Sequence, residues 1–98
     1  MDPITILYLV GAALTGATIV YIAYLAISAV RNYLRHRRTE KSSKEAAFII
    51  KKQMESGNVR VIAGFFDGKS VTESKTWEAK SVDSEIQNLD DGDAYILT

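Results

Sequence analysis

The sequence predicts a single-pass α-helical membrane protein with a small C-terminal α+β domain, ordered α-β-β-α-β, whose three-stranded sheet is built around a β-hairpin. Three observations predict it: an apolar run over residues 4–30, a basic run directly behind it, and a C-terminal half in which strand-like stretches alternate with turn signals. Charge follows the same partition. The 98 residues hold 12 Lys/Arg and 12 Asp/Glu, but residues 1–30 carry only Asp2, residues 31–52 carry eight basic residues against two Glu, and residues 53–98 carry four basic against nine acidic. The three parts stand at −1, +6 and −5, an uncharged head, a basic neck and an acidic tail. There is no cysteine, which excludes disulfides, thiolate metal sites and cysteine nucleophiles.

Residues 1–3 form a short N-terminal tail, and residues 4–30 read as the transmembrane helix. From Pro3 to Val30 no residue is charged, and a helix of this length is roughly 40 Å long at ~1.5 Å per residue, enough to cross a ~30 Å hydrocarbon core with tilt. A cleaved secretory signal fits less well, because its n-region is basic and its apolar stretch shorter, whereas this chain opens Met1-Asp2-Pro3. Gly11, Ala12 and Gly16 offer a small-residue patch for helix–helix packing.

Residues 31–42 read as a basic juxtamembrane neck, with Arg31, Arg35, Arg37, Arg38 and Lys41 as membrane-anchoring residues beside anionic headgroups. Basic flanks stay on the cytoplasmic side, so the expected topology is N-terminus outside and C-terminal domain in the cytoplasm, or facing the interior of a virion or organelle. The same residues could neutralise nucleic-acid phosphates, but no aromatic interleaving or reader motif accompanies them and the domain that follows is acidic. His36 has no second His or Cys with which to share a metal, and no cofactor is expected.

Residues 43–98 form the predicted domain. Ser42 or Ser43 as N-cap, Ala46, Ala47, Ile49, Ile50 and Met54 at helical spacing, and Gly57 as the stop predict a helix over 43–56. Asp67 and Gly68 mark a hairpin turn between β-branched and aromatic runs. Odd-numbered Val59, Val61, Ala63 and Phe65 meet odd-numbered Val71, Trp77 and Ala79 if the loop has an odd number of residues, which favours a three-residue loop. Glu73 and Lys75 interrupt the apolar face of the second strand, placing its middle in solvent or at a sheet edge, and with Trp77 they are the expected partner contacts. Ser81 as cap with Val82, Ile86 and Leu89 at i, i+4 and i+7 predicts a short helix, and Ala94–Thr98 a last strand. The acids of Asp90-Asp91-Gly92-Asp93 lack calcium-loop spacing and read as a turn.

No nucleophile with a base, and no phosphate-cradling glycine loop, can be assembled from these residues. The expected function is therefore non-enzymatic: the acidic domain mediates protein–protein interaction or assembly, as a homo-oligomer or as a structural or accessory subunit of a membrane complex or virion. The alternatives are a membrane tether for nucleic acid, or a regulatory anchor, using the basic run. A channel subunit would need ionisable groups in the apolar helix, which has none.

Overall fold

The stretch Ile19–Leu25, Ile-Val-Tyr-Ile-Ala-Tyr-Leu, consists almost wholly of β-branched, aromatic and aliphatic side chains, and it folds as a strand. In the structure, a computed structural model that describes residues 18–38, 44–68 and 70–97, the element order is β1 (Ile19–Leu25), α1 (Ile27–Arg38), β2 (Ala46–Gln53), β3 (Val59–Phe66), β4 (Val71–Val82), α2 (Ser84–Gln87) and β5 (Ala94–Leu97). One five-stranded sheet runs in the order β1-β4-β3-β2-β5, with β1 parallel to β4 and every other pairing antiparallel.

This overturns the membrane-protein fold class. Among the described residues no helix is long and apolar enough to cross a membrane, and the C-terminal part of the expected span divides at Ala26 into a strand and the start of a helix. The reason lies far along the chain. The Asp83 carboxylate accepts the Ile27 backbone N–H at 2.8 Å, and the Asp83 N–H donates to the Leu25 carbonyl at 3.2 Å, so the residue that follows β4 ends the strand and starts the helix. Residues 4–17, including Gly11, Ala12 and Gly16, and residue Lys41 lie outside the described residues.

The expected helix over 43–56 is corrected as well: Ala46–Gln53 is a strand, paired with β3 on one side and β5 on the other. Its Ala-Ala-Phe-Ile-Ile run is buried on both faces, so it lacks the alternation that marks a half-exposed strand. Ala47 and Ile49 join Val61, Phe65, Trp77 and Ala79 in the core beneath α1, where Ile27, Val30 and Leu34 supply the helix's apolar stripe. Phe48 and Ile50 join Ile62 and Ala94 in a second cluster, with Phe66, Val71 and Ile96 packed against it. Lys51 is buried, and its ammonium donates to the Gln87 carbonyl at the end of α2.

The β3–β4 hairpin pairs odd with odd, Val61 opposite Trp77 and Phe65 opposite Glu73, but not through a three-residue loop. Four residues, 67–70, separate the strands, and an irregularity between Phe65 and Phe66 restores the parity. Gly68 takes the positive φ (98°) that the turn requires, while Asp67 Oδ1 accepts from the Ser70 N–H at 2.9 Å. The second helix begins one residue after Asp83 rather than at Ser81, and Asp83 Oδ1 caps it by accepting from the Ile86 N–H at 3.1 Å. One carboxylate thus caps both helices.

Candidate interaction surfaces

Helix α1 carries four of the five residues expected to anchor a membrane, and here Arg35, His36, Arg37 and Arg38 occupy its last turn, where cations complement the helix dipole. The apolar stripe seats the helix on the sheet and divides its polar residues between two flanks. Each flank meets a different part of the sheet.

On the β4 flank, Tyr33 packs edge to face on Trp77, with ring centroids 5.6 Å apart at 87°. The Lys75 ammonium lies 5.1 Å from the Trp77 ring centre and 5.7 Å from that of Tyr33. Glu73 accepts from the Tyr33 hydroxyl at 3.1 Å and from Arg37 Nε at 3.2 Å. The two charges that interrupt the apolar face of β4 are therefore held by α1, and Trp77 is buried beneath them. Burial, reinforced by the Glu73 carboxylate, pushes the Tyr33 phenol up to about 12, which keeps it a hydrogen-bond donor.

On the other flank, Arg31, Arg35 and Arg38 fall at i, i+4 and i+7 and look across a cleft of about 410 Å³ floored by Leu34, Phe65 and Leu97. The Arg38 guanidinium stands 5.7 Å from the Phe65 ring centre and donates to the Glu45 carbonyl. Arg31 pairs with Glu85 at 3.3 Å, both side chains being largely exposed. Arg35 is exposed and, among the described residues, has no acidic partner.

The sheet's two edges differ. β5 has four residues, whereas β1 has seven, and the side of β1 away from β4 faces no described strand. β1 carries no charge and no proline, and its Tyr21, Tyr24 and Val20 are 69%, 53% and 40% exposed. These are the large hydrophobic residues the fold leaves in solvent among those described.

The β1 edge and the floor of the arginine cleft escaped the sequence reading. For β1 a signal was present, since Ile, Val and Tyr crowd into Ile19–Leu25 while Gly and Ala concentrate before it. For the cleft there was none, because Leu34, Phe65 and Leu97 meet only once the sheet has formed. Among the described residues no three His, Cys, Asp or Glu side chains gather as metal ligands. Comparison of the chain with protein-family models, curated proteins and solved structures returns no match.

Proposed function

We propose that this chain is a non-enzymatic assembly element whose domain joins a second copy of itself edge to edge through β1. The observation that carries the reading is the edge of β1 away from β4, which pairs with no described strand: seven residues, uncharged, with two exposed tyrosines. Proteins that keep an edge strand in solvent blunt it with lysine, proline, a bulge, brevity or a covering helix or loop, and among the described residues β1 has none of these, while β5 is short. A lone strand edge of this composition is a template for another strand.

A two-fold axis through Ile22 would set two β1 strands antiparallel and make one continuous sheet. Val20 then lies opposite Tyr24 of the partner subunit, and Tyr21 opposite Ala23 of the partner subunit. The Val20–Tyr24 pairs, β-branched against aromatic, contribute roughly 0.2–1 kcal/mol each, in addition to the backbone hydrogen bonds.

Sedimentation equilibrium of the full chain tests the reading. The wild type is expected to be a dimer in the micromolar range. Tyr21→Lys combined with Ala23→Lys, both at exposed positions, sets lysines directly opposite one another across the two-fold axis, and is expected to raise the dimer dissociation constant at least tenfold. A wild-type chain that stays monomeric at 100-fold higher concentration, or a dimer indifferent to both lysines, would refute it.

A further inference from the structure

We infer that the arginine cleft beside α1 takes an extended peptide that carries an acidic and an apolar residue two positions apart, so that both face α1, added as a sixth strand on β5. The cleft combines two chemistries that rarely adjoin by accident. One wall is a line of guanidiniums, Arg31, Arg35 and Arg38, and the apolar surface beside it is the partly exposed Leu97, over the buried Leu34 and Phe65. A ligand that fills it therefore needs a carboxylate and an apolar side chain close together.

The place of the cleft in the sheet selects a peptide over other amphipathic anions. Its lining includes Ile96, whose side chain packs in the cluster on the opposite face of the sheet, so the cleft reaches round to the backbone of β5 itself. β5 pairs with β2 on one side, and no described strand lies on its other side. The edge supplies backbone donors and acceptors, the partly exposed Leu97 supplies an apolar contact for one side chain, and the arginines lie on the same face of the sheet, toward which a carboxylate two residues along the added strand is directed. Arg35 is the group best placed for a ligand carboxylate, since Arg31 is engaged with Glu85 and Arg38 with the Glu45 carbonyl. A guanidinium binds a carboxylate through two parallel N–H donors, and rigid placement on a helix reduces the entropy lost in doing so.

The test uses the full chain and a fluorescein-labelled heptapeptide, Ser-Asp-Ser-Leu-Ser-Asp-Ser, which sets Asp and Leu on one face of an extended strand, followed by fluorescence anisotropy. Saturable binding is expected, weakening as salt rises. Replacing the Asp residues of the peptide by Lys should abolish binding, and N-methylation of alternate peptide amides should weaken it at least tenfold, because strand addition needs those N–H groups. Arg35→Glu should weaken binding at least tenfold with an unchanged thermal unfolding midpoint, while the paired substitutions Tyr21→Lys and Ala23→Lys leave it intact, since they lie on the far edge. The inference is overturned if the N-methylated peptide binds as well as the parent, if Arg35→Glu has no effect, or if dodecanoate displaces nothing and binds the cleft where the peptide does not.

Discussion

Replacing Asp83 by alanine should unfold this domain far more readily than the loss of one surface carboxylate suggests. Its Oδ2 accepts the Ile27 N–H that opens α1, at 2.8 Å, and its Oδ1 accepts the Ile86 N–H that opens α2, at 3.1 Å. An N-cap contributes about 1 kcal/mol, and hydrogen bonds to a charged acceptor lie at the upper end of the range, so removing both costs about 2–3 kcal/mol. A chain of this size is held by roughly 5–15 kcal/mol, so the loss is a large share of the total. At about 4–8 °C per kcal/mol, the midpoint of thermal unfolding should fall by about 10–20 °C. Urea titration followed by Trp77 fluorescence measures the difference directly. Asp83→Asn retains a single acceptor oxygen and should lose about half as much, giving the order wild type, Asn, Ala. An alanine variant within 0.5 kcal/mol of the wild type (about a twofold change in the unfolding constant) would refute the double cap.

Three further outcomes follow from other side chains. Thr76 is fully buried between Ile19 and Ile62, and among the described residues its hydroxyl has no hydrogen-bond partner, so Thr76→Val should be neutral or stabilising by about 1 kcal/mol in urea titration. The Tyr33 phenol is raised to about 12 in the folded chain, so its contribution is complete below the unfolded value near 10 and is lost as pH climbs from about 10 to 12; urea midpoints over that range should fall more steeply in the wild type than in Tyr33→Phe. Glu78 is held below the usual carboxylate range by hydrogen bonds from Asn58 and Arg60, so its contribution is present above the unfolded pKa and lost as pH falls through the folded one, and Glu78→Gln should flatten the acid limb of the stability profile.

What the sequence disclosed was local, and what it hid was non-local. The hairpin at Asp67-Gly68 could be read because turn residues and flanking β-branched runs sit together in the chain, and the last strand because Ala94–Leu97 is bounded by the Asp90–Asp93 turn. β2 was hidden because a strand buried on both faces loses its period of two, leaving Ala46, Ala47, Ile49 and Ile50 to imitate a helical stripe. β1 and the first turn of α1 merged into one apolar run because hydropathy records burial and not its geometry. The residue that separates them, Asp83, lies 56 positions from the N–H it accepts. For the candidate surfaces the division is the same: the arginine line at 31, 35 and 38 is visible as helical spacing, whereas the Phe65 and Leu97 floor opposite it depends on the order of strands in the sheet.

Everything proposed for the edge of β1 depends on its being a strand laid parallel on β4, with Tyr24 beside Ser81. The chain contains no cysteine, so Tyr24→Cys with Ser81→Cys, both at exposed positions, introduces the sole thiol pair. Neighbouring positions on paired strands fall within the ~4.4–6.8 Å Cα separation a disulfide spans. Mild oxidation should close that pair within one chain, seen as a faster-migrating monomer on a non-reducing gel, while Tyr24→Cys with Ser74→Cys, displaced by seven residues or roughly 23 Å at ~3.3 Å per residue, should not close. Failure of the 24–81 pair to close, or equal closure of the displaced pair, would contradict the parallel register and with it the strand edge on which the assembly reading stands.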